Sequence, residues 1–323
     1  MSRPAVLALV VAPLAVSACG PSSSGRDAGP SASASASAST SATATSAAGP
    51  SAAPSQSAAA PPEAEPAPPL ACPREMVAVK NTFCIDKWEA SLVDKRTGIA
   101  LSPYYPPDRK LALRLSSQWQ AARAEGGDDR AHALDLPPLP PWERKHDPVP
   151  MAVSRAGVVP SGYLSGIVAA EACKNAGKRL CKYEEWRTAC RGEQDRQFPY
   201  GDHYEQGACN IFRPLHPAMV LHGNPSIGHT DPRLNLVKDG SDPLLRRTGA
   251  TPRCKSEWGD DAAWDMNGNL DEWVDDEHGR FVGGFFSRSK RDGCESSVGV
   301  HPNSYFDYST GVRCCSSPED APP

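Results

Sequence analysis

The chain has 323 residues, with 34 Lys and Arg against 38 Asp and Glu and a formal net charge of -4, so charge alone gives no reason to expect nucleic acid or an acidic membrane surface as the main partner. Apolar residues make up only 39% of it, but the shortfall is local: between Gly20 and Pro69, 45 of 50 residues are Ala, Ser, Pro, Gly or Thr, and about 250 residues after that stretch suffice for one sizeable core or two small ones. Eleven cysteines are more than a cytosolic enzyme normally uses and point to an oxidising compartment.

Residues 1–18 read as an export signal. Arg3 supplies the positive start, and Ala5 to Val16 form an apolar stretch broken by Pro13. A spanning helix needs about 20 apolar residues, so this one is too short. It ends Val16-Ser17-Ala18-Cys19, which resembles the lipobox of bacterial lipoproteins. That resemblance implies a lipidated Cys19 and a membrane-anchored protein of the bacterial cell envelope; ordinary signal cleavage after Ala18 fits the same residues. Several acyl chains on one residue would anchor stably where one would not. The stretch from Cys19 to residue 71 has nothing to bury and reads as a disordered tether. As a flexible coil of about 50 residues it would span about 40 Å root-mean-square. The chain has no internal repeats.

Order is expected from Cys72 to about residue 316, with residues 317–323 a tail. Met76 to Val79, the Asn81-Thr82 turn and Phe83 to Ile85 predict a strand, a turn and a second strand. Asp94 to Pro150 carries Pro clusters at 103–107 and 137–141 around a candidate helix, Leu111 to Arg123, and reads as a long surface insertion. Ser165 to Ala176 predicts a helix with Ile167, Val168, Ala172 and Cys173 near one side and Gly177 as its C-terminal cap. Tyr183 to Arg191 predicts another, ending at Gly192. Residues 199–260 lack periodic apolar runs. Short strands are expected at Glu272 to Val274, Phe281 to Phe286 and Gly311 to Cys314. Two helices with many short strands and long loops make an α+β domain that needs staples, either disulfides or bound ions.

Several blocks then fall in order. They are Ala176-Gly177-Lys178-Arg179-Leu180, Glu184-Glu185-Trp186, Ala189-Cys190-Arg191-Gly192 and Pro199-Tyr200-Gly201, followed by Asp265 to Val274, Gly283-Gly284 and Gly311-Val312-Arg313-Cys314. The set resembles the sulfatase-modifying factor, or formylglycine-generating enzyme, family from about Cys72 to Cys315, with 94–150 poorly matched. The resemblance implies a single, loop-rich domain of C-type-lectin-like α+β fold.

It also implies an activity. The family's enzymes hold copper(I) on a Cys pair shortly after the Gly-Gly and use oxygen to convert a substrate Cys to formylglycine. Thiolates suit copper(I) for their softness. Here those two positions fall on Arg288 and Gly293, neither of which ligates copper. Cys294 is adjacent, but it stands 20 positions before Cys314, in the slot of a structural Cys whose family partner matches Cys190. The other family disulfide would join Cys173 to Cys314. Cys72 and Cys84 flank the first strand pair and could bridge it; Cys209 with Cys254, and Cys181 with Cys315, are one completion that spacing alone does not fix. No C-x-x-C or close Cys/His cluster suggests zinc.

By the same resemblance, a structural calcium ion would be held by Asp265, the carbonyls of Gly268 and Leu270, and Glu272. Hard oxygen ligands on an irregular Gly/Asn loop are what calcium tolerates; a solvated acidic turn is the plainer reading of the same residues. A second site would use Asn210, the Ile211 carbonyl and an acid some thirty residues on, for which Asp239 with the Ser241 carbonyl is the candidate. His216, His222 and His229 share one loop, where exposed histidines without a metal are the ordinary case. Trp258 and Trp264 sit in a Gly/Asp loop and are candidates to line a ligand groove. The expected function is therefore a tethered module that binds a peptide, protein or glycan, with copper unexpected. The alternative is a divergent formylglycine-generating oxidase or another oxidoreductase acting on a protein Cys.

Overall fold

The computed structural model describes residues 70–318 except Ala124 and Ser289. The export signal, Cys19, nearly all of the tether and most of the tail lie outside the described residues. Strands β1 (Met76–Val79) and β2 (Phe83–Asp86) form a tight hairpin, with Lys80 and Asn81 at φ +47° and +57° and Val79 opposite Phe83. Strands β3 (Ala90–Asp94) and β4 (Pro150–Ser154) pair antiparallel with Asp94 opposite Pro150, so residues 94–150 leave and re-enter at one end of a ladder.

This insertion is more than a surface loop. Helix α1 (Arg109–Ala122) starts two residues before the expected Leu111, because Asp108 caps it by accepting the Leu111 N–H at 2.7 Å. Helix α2 (Asp129–Ala133) is capped by Asp128 in the same way. Tyr105, Ala112 and Leu139 form an apolar cluster of their own, and the Tyr105 hydroxyl donates to the Pro137 carbonyl at 2.9 Å. Buried Glu143 accepts from the Ser102 N–H at 2.8 Å. Within the proline-rich runs, Pro106, Pro107 and Pro137 are buried.

Helix α3 (Gly166–Asn175) is capped by Ser165 and followed by Gly177 at φ +72°. It buries Ala169, Ala172 and Cys173, while Ile167, expected on that side, is 58% exposed. After β5 (Arg179–Leu180), helix α4 (Tyr183–Arg191) buries Trp186, Ala189 and Cys190 and stops at Gly192, φ +68°. Helix α5 (Pro217–His222) has Pro in its first turn and ends at Gly223 in the left-handed region. Two small hairpins follow, β6 (Lys238–Asp239) with β7 (Asp242–Pro243), and β8 (Lys255–Trp258) with β9 (Asp261–Trp264).

The last strands are β10 (Asp271–Val274), β11 (Arg280–Val282), β12 (Ser297–Gly299), β13 (Thr310–Val312) and β14 (Cys314–Ser316). One sheet runs β12-β11-β10-β13, with β10 and β13 parallel. A second runs β1-β2-β14-β5, so the end of the chain enters between the N-terminal hairpin and β5. Arg313 alone separates β13 from β14, and the strand expected at Gly311 to Cys314 is therefore two strands in different sheets. The strand expected to reach Phe286 ends at Val282, because Gly283 and Gly284 take φ +88° and +78°. Trp186 and Trp273 are the largest buried side chains, and the Trp273 indole donates to the Leu164 carbonyl at 2.8 Å.

Five disulfides staple these elements: Cys72–Cys84, Cys173–Cys314, Cys181–Cys315, Cys190–Cys294 and Cys209–Cys254. Such a set belongs to an oxidising, extracytoplasmic compartment. Three of them close spans of 141, 134 and 104 residues, tying strands whose pairing is non-local.

Candidate functional site

The segment after β11 carries Arg288 and Gly293, the positions that the family resemblance assigns to copper thiolates. Gly283 is packed so closely that an added Cβ would meet the Trp186 ring at 3.1 Å and the Met266 carbonyl at 3.2 Å. The chain then buries Phe285 and Phe286 and presents Arg288. The Arg288 guanidinium pairs with the Asp271 carboxylate at the start of β10 and stands 5.0 Å from the Phe285 ring. Burial pushes Asp271 up to about 7 against the pull of Arg288, with the charge of Asp307 adding to the rise. Asp271 Oδ1 and Arg288 Nε are both buried without a hydrogen-bond partner. Asp307 accepts from the Ser309 N–H and hydroxyl at 2.7 Å each and from the Tyr305 hydroxyl at 2.5 Å.

Gly293 is fixed by its backbone. It adopts φ +60°, and a Cβ there would collide with the Gln197 carbonyl oxygen and the Phe198 ring. No thiol could occupy that position on this backbone. Cys294 lies fully buried and bonded to Cys190 of α4. All ten cysteines of the described residues are paired, so none of them offers a thiolate.

The loop from Asp265 to Glu272 wraps over residue 210. Gly268 takes φ +94° with its Cα against the Asn210 carbonyl, and the Asn269 N–H donates to that carbonyl at 2.8 Å. Both Glu272 oxygens accept from Arg313, at 2.9 to 3.1 Å, and one also accepts from the Trp186 indole at 2.6 Å. Arg313 donates further to the carbonyls of Asp86 and Trp264. Behind them Glu89 accepts from the Leu270 N–H at 2.9 Å and the Asn269 amide at 2.5 Å. Glu89, Asp265 and Glu272, each no more than 3% exposed, thus surround one buried guanidinium. Burial pushes Glu89 well above the usual carboxylate range, reinforced by Asp265 and Glu272; burial likewise lifts Asp265 to about 6.

These residues fit calcium unevenly. Glu272 fits poorly, because Arg313 and Trp186 already hold both its oxygens. Asn210 fits better: its amide N–H groups go to the Leu244 carbonyl at 2.7 Å and Asn269 at 2.9 Å, while its buried Oδ1 has no partner. Asp239, the expected acid of that second site, instead stands exposed on β6 with Arg213 at 3.6 Å. The carbonyl Asn210 reaches is that of Leu244, not Ser241.

The three loop histidines do not converge, although His216 and His229 both pack against Tyr308. His216 caps α5 and approaches the Tyr308 hydroxyl at 3.3 Å, His222 lies 3.3 Å from Asp231, and His229 contacts the Pro225 carbonyl at 2.8 Å. Among the described residues no three His, Cys, Asp or Glu side chains converge as metal ligands. Trp258 is core, its indole donating to the Ala189 carbonyl at 3.1 Å. Trp264 is half-buried and lines a hollow with Trp88. Arg313 and Glu89 were absent from the expected site. Arg313 had a visible signal, its place before Cys314 in the closing block; Glu89 had none, since its role depends on a contact about 180 residues away.

Residues 167–322 match the model of the sulfatase-modifying factor enzyme 1-like domain. Over that stretch, just under half of the chain, the sequence is similar to this family. The fold is accordingly α+β, of the formylglycine-generating and C-type-lectin-like kind. No curated protein matches the chain. Among solved structures, it is similar to the Major Tropism Determinant I1 variant at 13% identity and TM-score 0.38, covering 76% of this chain and 53% of that one. It is similar to CarF at 13% identity and TM-score 0.35, covering 73% and 86%. It is similar to PvdO from Pseudomonas aeruginosa at 14% identity and TM-score 0.33, covering 73% and 80%. The chain spans about half the length of the tropism determinants it matches.

Proposed function

We propose that this sulfatase-modifying factor domain is an exported, lipid-anchored binding module that takes an extracytoplasmic ligand. The observation that carries the reading is the closed reactive centre: Arg288 is ion-paired to buried Asp271, Gly293 has no room for a side chain, and Cys294 is bridged to Cys190. Scaffold and activity separate readily in evolution, and the function belongs to the site. Copper(I) titration of the purified protein should give no tight complex, and incubation with oxygen and a cysteine-bearing sulfatase peptide should give no aldehyde. Formation of either product would overturn the reading in favour of an oxidase acting on protein Cys.

The anchor belongs to the same proposal. Cys19→Ala should move the protein from the membrane fraction to the soluble fraction; unchanged partition would refute lipidation. A structural calcium ion is proposed at Asn210 and the Ile211 carbonyl, supported by the unpartnered Asn210 Oδ1. A chelator should lower the melting temperature by about 2–4 °C, and Asn210→Ala should abolish that sensitivity. A melt indifferent to chelation removes calcium from the account.

A further inference from the structure

A hollow of about 520 Å³ is lined by Tyr104, Asn235, Lys238, Asp242, Arg246 and Arg247, among others. A second, of about 400 Å³, includes Trp88, Trp264, Gly249, Arg247 and Ala250 in its walls. The two share Arg247 and Ala250 and so form one strip. None of these residues belongs to the reactive positions or the acidic loop.

The strip is cationic. Three basic side chains of the larger hollow face one acid, and Asp242 is already claimed by Arg246 at 2.7 Å and Arg213 at 2.8 Å. Arg247 donates only to the Gly157 carbonyl, at 3.0 Å. Among the described residues no carboxylate lies within ion-pair distance of Arg247 or Lys238. Both are exposed, so neither charge costs much in water, and both remain free for an anion. A planar guanidinium grips a carboxylate through two parallel N–H donors.

The strip is also aromatic and holds one buried acceptor. Trp88 and Trp264 are half-buried and border the smaller hollow. Gly249, at φ +74°, lies against the Trp88 indole, where an added Cβ would stand 3.5 Å from Nε1. Tyr104 borders the larger hollow. Asn235 is 3% exposed; its amide donates to the Tyr308 carbonyl at 2.7 Å, and its Oδ1 has no hydrogen-bond partner. Such an acceptor calls for a hydroxyl or amide donor.

We infer that this strip is a binding cleft for an acidic oligosaccharide, one that carries carboxylates on successive sugar rings. The cleft combines Trp88 and Trp264 in the smaller hollow with Tyr104 and three cations in the larger one. A polymer of uronic acids alternates a flat ring face with a carboxylate at about that grain. Its C–H faces stack on indole and phenol rings, its carboxylates meet Arg246, Arg247 and Lys238, and a ring hydroxyl serves Asn235. A neutral glycan would leave the cations unused, and an acidic peptide would leave the aromatic walls unused. The inference rests on the binding-module reading and names the ligand class for it.

The test is calorimetric titration of the full chain with hexagalacturonate, with a neutral hexasaccharide and hexaglutamate as the other arms. Hexagalacturonate should bind, more weakly as salt rises, and both other arms should bind at least tenfold less tightly. The paired substitution Lys238→Glu and Arg247→Glu should weaken hexagalacturonate at least tenfold with an unchanged melting temperature. Silence with hexagalacturonate, equal binding of hexaglutamate or of the neutral sugar, or indifference to the charge reversal each overturns the cleft. Copper(I) titration of the same sample separates the two levels. A silent copper arm beside a failed sugar arm rejects only the ligand class, whereas a tight copper complex rejects the module reading itself.

Discussion

The reactive-centre segment and the cationic cleft are built on opposite plans. At the first, half-buried Arg288 is ion-paired to fully buried Asp271, and Cys294 is bonded to Cys190. At the second, Lys238 and Arg247 stand exposed with no acid beside them among the described residues. A buried ion pair does structural work and resists exchange with a ligand, because separating it strands a charge in low dielectric. An exposed, unpaired guanidinium is held in no such bargain and is available to a partner. On the proposed reading, the segment after β11 belongs to the framework and the cleft is the place for recognition.

The comparison can be broken most forcefully at the staple. Replacing Cys190 and Cys294 together by Ala reopens a span of 104 residues and should cost about 4–5 kcal/mol in denaturant titration. A loss under about 1 kcal/mol would mean the bridge is not part of the framework. Next, Arg313→Met strands Glu272 and leaves Glu89 and Asp265 without their shared cation. The expected loss is about 3–5 kcal/mol, read the same way; near-neutrality would show that the acids are held protonated without it.

A third effect belongs to the neck of the insertion. Asp94 accepts from the Val149 N–H at 2.8 Å and from the Thr97 N–H and hydroxyl at 3.0 and 2.9 Å. Burial alone would raise this carboxyl, but these bonds and Arg96 outweigh it and hold it at about 2, below its ordinary 3.8. The stability it contributes is therefore complete above the ordinary value and disappears as pH falls through the folded one. Between about pH 4 and about pH 2 the unfolding midpoint should drop and amide exchange at Val149 should accelerate. Asp94→Asn should flatten that acid slope, and Asp94→Ala should cost about 1–3 kcal/mol at neutral pH. A slope unaltered by Asp94→Asn would assign the acid sensitivity to other carboxyls. The smallest effect is the sharpest contrast: reversing Lys238 and Arg247 should change stability by no more than about 0.5 kcal/mol. A larger loss would mean that the cleft, too, is framework.

Much of the framework was legible from local rules. Helix α4 follows from Trp186, Ala189 and Cys190 on one face and a glycine stop, and its observed span is the expected Tyr183–Arg191. The β1–β2 turn and the Ser165 cap follow from a few adjacent residues. Ile167 escaped because helical periodicity gives a face but not which rim of it meets a neighbour. The strands β3, β4, β8 and β9 escaped because each is short and makes sense only beside its partner. Asp239 was chosen by spacing along the chain, a poor measure of distance through a hairpin; the structure sets it exposed beside Arg213.

From its order of residues alone this protein declared a cysteine-rich, extracytoplasmic α+β domain. Those properties depend on composition, short-range propensity and residue identity. Only the tertiary structure decided that Glu89 and Arg313 share one buried site, that Gly293 has no room for a side chain, and that Tyr104 from the insertion borders the same strip as Arg247 and Trp264. Each of these joins segments tens to hundreds of residues apart, and their meeting is set by packing of the whole core, which no local pattern encodes.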